Sequence, residues 1–230
     1  MTIRSKARQQ IYRQLKEDLI NYRIPPGQHL SIAKLSASFR LSNTPVREAL
    51  IRLEGEHLAA IDSEGGFRAR ELNLGEMREL LDIARQLLPF CLANVPRRFA
   101  SDNIVRPSAL ALQSRYRASK LLQSHPQDTS SFIETIFVEL SRMPANVELA
   151  RIITNICDRT HYMRVWDLRE RQTGYVLSDL LTRLLDSLDR DDRETATSIV
   201  VTLLSAQIER LPDVLPKALA AAFMGRSDIP

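Results

Sequence analysis

The chain has 230 residues, 44% hydrophobic and 26% charged, the balance of an ordinary globular protein with enough length for one large or two smaller domains. No apolar run reaches the ~20 residues of a membrane-spanning helix, and Arg4, Lys6 and Arg8 open the chain without an apolar stretch behind them. A membrane span and a secretory leader are therefore not expected, and the expected compartment is the cytoplasm. Cys91 and Cys157 are isolated within apolar helical stretches and read as reduced core thiols.

Charge is unevenly divided. Residues 1–72 carry 12 Lys and Arg against 8 Asp and Glu, whereas the remainder carries 20 of each. The net +4 thus lies wholly in the first third, the footprint of a segment that meets a polyanion beside a neutral partner domain.

In chain order, Ile11, Leu15 and Leu19 form one face of a first helix ending near Tyr22, and Pro25-Pro26-Gly27 forces a turn. Ser31 can cap a short second helix that buries Ile32, Leu35 and Phe39. Thr44 is the expected N-cap of a third helix, with Pro45 at its first position and Val46, Ala49, Leu50 and Leu53 on its inner face. Leu58 to Ile61 and Phe67 to Arg70 predict a two-stranded wing around Gly65 and Gly66, glycines that permit positive φ.

Five of the seven glycines fall at or before Gly75, which marks a boundary at about residue 72. Beyond it the pattern is helical throughout. Apolar positions from Met77 to Leu92 recur at helical spacing. Further helices are expected over Ser108 to Leu122, Thr129 to Met143, Ala145 to Leu168, Tyr175 to Asp189 and Arg193 to Arg210, with an apolar tail from Val214 to Phe223. The fold class is mainly α: a winged helix-turn-helix over residues 1–72, then an all-α antiparallel bundle over 73–230.

Three helices followed by a hairpin suit a reader of double-stranded DNA, in which the second helix braces the third and the third presents its first turn to the major groove. Ser42 and Thr44 can bond phosphates beside the free amides of a helix N-terminus. Arg47 can reach a guanine edge and Asn43 an adenine. Lys34, Arg40 and Arg52 are expected to face phosphates or solvent, and Arg68 beside Gly65 and Gly66 can reach the minor groove or the adjacent DNA backbone.

The run Leu41-Ser42-Asn43-Thr44-Pro45-Val46-Arg47-Glu48-Ala49-Leu50, with Pro25-Pro26-Gly27 before it and Leu53-Glu54 and Leu58 after, resembles the GntR family of bacterial transcriptional regulators over the first 72 residues. The helical remainder, with Ala145-Asn146 after the Phe137 helix, resembles the FCD-type effector domain of that family's FadR-like branch. The resemblance implies a homodimer on a palindromic operator, in most relatives a repressor, with a small-molecule effector that alters DNA affinity. Many relatives have arginine at the position of Asn43, so a different operator is expected here.

Many FCD domains hold a divalent metal. Alignment on Asn146 and on the Asp191-Asp192 turn puts its four ligand positions at Ile133, Phe137, Leu181 and Leu203, none of which binds metal, while His29, His57, His125 and His161 are scattered. The expectation is a bundle without a metal or other cofactor. Phe137, Leu181 and Leu203, with Arg85 where relatives often place an inward arginine, are the candidate effector residues, for a carboxylate or an apolar ligand. No nucleophile elbow or phosphate-binding glycine loop is present in the sequence, and an enzyme is not expected. The rival readings are a protein-interaction module and a constitutive architectural DNA binder without effector response.

Overall fold

A computed structural model describes residues 3–94, 99, 125–170 and 174–224; the helix expected over Ser108 to Leu122 lies outside them. Two compact units result. One holds the chain up to Asn73 together with the last helix from Ala218, and the other spans Leu74–Lys217.

The first unit is built on α1 (Ile3–Ile20), α2 (Ile32–Phe39) and α3 (Asn43–Gly55), followed by β1 (Ala59–Ile61) and β2 (Phe67–Ala69). Ile11, Tyr12, Leu15 and Leu19 bury one stripe of α1 against Val46, Ala49, Leu50 and Leu53 of α3, the i, i+4 recurrence of an amphipathic helix. Ser31 caps α2 by accepting from the Lys34 amide at 3.4 Å, and Arg40 closes that helix in the left-handed region at φ 54. The strands pair antiparallel with Ala60 opposite Arg68. His29 bridges Arg68 from the outer side, so the segment before α2 pairs with the wing, a contact that the sequence did not signal.

The start of α3 differs from expectation. The N-cap of α3 is Ser42, in extended conformation, and Pro45 stands at the third helical position. Proline is tolerated there because the amides of a helix's first turn have no intrahelical acceptor. It also removes a donor that a capping hydroxyl would use, and the Ser42 side chain makes no cap bond.

The second unit consists of α4 (Leu74–Ala93), α5 (Pro126–Arg142), α6 (Val147–Glu170), α7 (Gly174–Asp189) and α8 (Arg193–Met224) as far as Lys217. Pro126 occupies the first position of α5, three residues before the expected start. Asn146 caps α6 by accepting from the Glu148 and Leu149 amides. A short connection folds α6 back on α5, and α4 packs against both. The separate tail helix expected after Arg210 is a correction: α8 runs unbroken through Pro212 and Pro216. Each internal proline costs ~3 kcal/mol, which burial of Leu211, Val214 and Leu215 offsets at about 1.5–3 kcal/mol per side chain.

Candidate nucleic-acid interface and bundle interior

The first turn of α3 opens on exposed residues. Ser42, Asn43, Thr44 and Arg47 are all exposed, opposite the buried face of Val46, Ala49 and Leu50. Because Pro45 contributes no amide and Ser42 does not cap, a hydroxyl and the positive end of the helix dipole both face outward. Among the described residues no ion pair engages Arg47, Arg40 or Lys34, and all three are exposed. Glu48, next to Arg47, is paired with Arg8 of α1 at 3.2 Å, which moderates its repulsion of a polyanion. Ile51, one turn beyond Arg47 on the same side, is 53% exposed and adds an apolar group to that face.

The wing is held by one carboxylate. Asp62 Oδ1 accepts from the amides of Gly66 at 2.7 Å and Glu64 at 3.1 Å, and these bonds, the Gly66 one foremost, hold its carboxyl below the usual range. Gly65 needs its φ of +78°, and a Cβ on Gly66 would lie 2.9 Å from Asp62 Oδ2. Arg68 pairs with Asp62 at 3.3 Å yet stays half-exposed, so the wing arginine is positioned rather than free. Arg52, which the sequence left as phosphate-facing or solvated, is committed elsewhere: it covers the Tyr12 ring and bonds Glu56 at 3.2 Å. Its i, i+4 spacing from Glu56 was legible; the partner on α1 was not.

The candidate effector residues are divided. Phe137 and Leu203, with Ile133, line an interior cavity that also touches Arg164, Asp167 and Gln207. Leu181 is fully buried but is not among that lining. Arg85 lines a separate open groove, where it bonds Asp82 at 2.6 Å and Ser205 at 3.2 Å. The four positions aligned with the family's metal ligands carry only buried hydrocarbon side chains, a donor set that does not fit a metal. The described residues hold no group of three His, Cys, Asp or Glu side chains suited to one. Burial pushes the thiols of Cys91 to about 11 and Cys157 to about 12, so both remain protonated core groups.

A polar cluster that the sequence did not single out lies beside the cavity. Glu134 of α5 binds Arg164 of α6 and accepts from His161 Nδ1 at 2.8 Å and from Ser130 at 3.0 Å. This leaves His161 Nε2 to accept from the Gln127 amide at 3.1 Å. Arg210 of α8 makes a two-pronged pair with Asp167, at 2.5 and 2.8 Å.

Comparison with known proteins agrees with this geometry. Residues 7–68 match the family described as "Bacterial regulatory proteins, gntR family". The Nta operon transcriptional regulator of Aminobacter aminovorans is 23% identical over 92% of this chain and 97% of its own. The transcriptional repressor RspR of Escherichia coli K12 is 29% identical over 67% and 68%. Among solved structures, a transcriptional regulator GntR from Rhodococcus sp. RHA1 superposes with a TM-score of 0.71 at 16% identity, covering 90% of this chain and 97% of the other. E. coli McbR/YncC gives 0.62 at 20% identity, with the same coverage. A helix-turn-helix with an exposed first turn, joined to a helical unit, defines a DNA-binding transcriptional regulator. Residues 7–68 are thus a helix-turn-helix domain of the GntR type. No described helix is long and apolar enough to cross a membrane.

Proposed function

We propose that the chain is a repressor that binds a palindromic operator as a homodimer and responds to a small-molecule effector. Residues 1–72 read the DNA, and residues 73–230 form an FCD-type domain for dimerisation and effector binding. The observation that carries this reading is the first turn of α3, where Arg47 is exposed and unpaired and the Ser42 side chain makes no cap bond. In this role Arg47 gives a two-pronged contact to guanine. Ser42, Thr44, Lys34 and Arg40 hold the phosphates, Asn43 shifts base preference toward adenine, and Arg68 enters the minor groove beside Gly65 and Gly66. The name of the relative RspR, a repressor, supports the sense of regulation.

Nuclease footprinting on the DNA upstream of its own gene tests this. A protected palindrome whose occupancy falls steeply between low and moderate salt is the expected result, since binding to phosphates releases counterions. Absence of any protected sequence at low salt refutes it.

A further inference from the structure

We propose that the interior cavity between α5, α6, α7 and α8 is a site for one compact monovalent anion, a halide or the carboxylate of a one- or two-carbon acid. This deepens the effector reading above and rests on it only for any consequence at the operator.

The cavity leaves about 20 Å³ open to a water-sized molecule, enough for a single occupant of a few non-hydrogen atoms. Two lining side chains each bury an N–H without a partner: Nε of Arg164 and Nε2 of Gln207. Both residues are more than nine-tenths buried, with 3% and 6% exposure. Other unpartnered buried atoms occur at Ser36, Arg85 and Arg159, but none of these lines this cavity.

What is unmet there is donor capacity. The lining carboxylate, Asp167, is engaged by Arg210 through two bonds, and neighbouring Glu134 by Arg164, His161 and Ser130. A cation or an amine would find its acceptors already committed. An acceptor would satisfy N–H groups from α6 and α8 at once, and buried donors left unmet are costly. Negative charge strengthens the bond further, because one donor belongs to a guanidinium. The remaining lining, including Ile133, Phe137 and Leu203, is hydrocarbon and limits the occupant to a small ion that needs no further polar contacts.

The test is thermal unfolding of the full chain, freed of metal by chelator, in sodium chloride, bromide, formate, acetate or gluconate at constant ionic strength. Small anions should raise Tm saturably, by roughly 3–6 °C at ten times their Kd, with bulky gluconate as the inactive reference. Gln207→Leu should remove that increment. Broadening of the chloride-35 resonance by wild-type protein, reversed by formate, gives the same answer without a variant; a Tm increment with formate but no broadening of chloride would assign the site to carboxylates. A Tm indifferent to anion identity, with no chloride broadening, means a buried water only and overturns the proposal. So does an increment undiminished in Gln207→Leu. Anion binding that leaves footprinting unchanged would remove the regulatory role and keep the site.

Discussion

The guanidinium of Arg52 lies 3.6 Å from the centroid of the Tyr12 ring, and both side chains bond the same carboxylate, Glu56. Lys16 reaches that carboxylate at 2.9 Å. Four groups from α1, α3 and its C-terminal cap thus fix the brace behind the reading helix.

Tyr12→Phe tests this clamp by deleting one hydroxyl while keeping the stacked ring. The expected loss is about 1–2 kcal/mol, because the bond is charge-assisted but only partly buried. Urea unfolding followed by circular dichroism measures it. An unchanged midpoint would show that Lys16 and Arg52 hold Glu56 without the tyrosine.

Arg47→Ala should weaken specific operator binding by roughly 1–3 kcal/mol and leave thermal stability unaltered, since the side chain is exposed and unpaired. Arg52→Ala should do the reverse, lowering stability before affinity. Titration of both variants by fluorescence anisotropy separates the two roles. Equal losses of affinity at equal stability would place Arg52 at the DNA as well.

Gly65 and Gly66 differ in what an added methyl would meet. Gly65→Ala forces a side chain into positive φ in open space, at roughly 1 kcal/mol. Gly66→Ala pushes against Asp62 Oδ2 and, at 3.1 Å, His29 Nε2, so it disturbs the carboxylate that positions Arg68. Operator affinity should fall further for Gly66→Ala than for Gly65→Ala; the opposite order would show that the wing tip, rather than the Asp62 anchor, sets the contact.

The described helices and the start of α3 near Thr44-Pro45 were legible because apolar periodicity and a proline in a first turn are local signals. The cap slipped from Thr44 to Ser42 because proline is acceptable at any position of a first turn, so sequence alone fixes the start only loosely. The sequence marked only an apolar tail after Arg210, because the burial that carries α8 through Pro212 and Pro216 is tertiary. The same cause hid the pairing of His29 with Arg68, and the Glu134 and Arg210 clusters: their partners lie on different segments, and no spacing rule joins them.

Acid sensitivity of the helical unit follows from Glu134. Burial alone would raise its carboxyl, but the charge of Arg164 and the bond from His161 together hold it below the usual range. A carboxyl depressed in the folded state contributes stability above its unfolded value, near 4.3, and loses it as pH falls through the lower folded value. Glu134→Gln removes that proton-linked contribution and leaves Arg164, only 3% exposed, without its counter-ion. At pH 7 the variant should be less stable by about 3–5 kcal/mol, the cost of stripping one partner from a buried pair. The difference from wild type should hold down to about pH 4.5 and narrow below it. Thermal melts across pH 3–7 follow both proteins. A constant gap down to pH 3 would mean that Glu134 titrates alike in the folded and unfolded chains, and a gap widening with acid would reverse the sign assigned to Glu134.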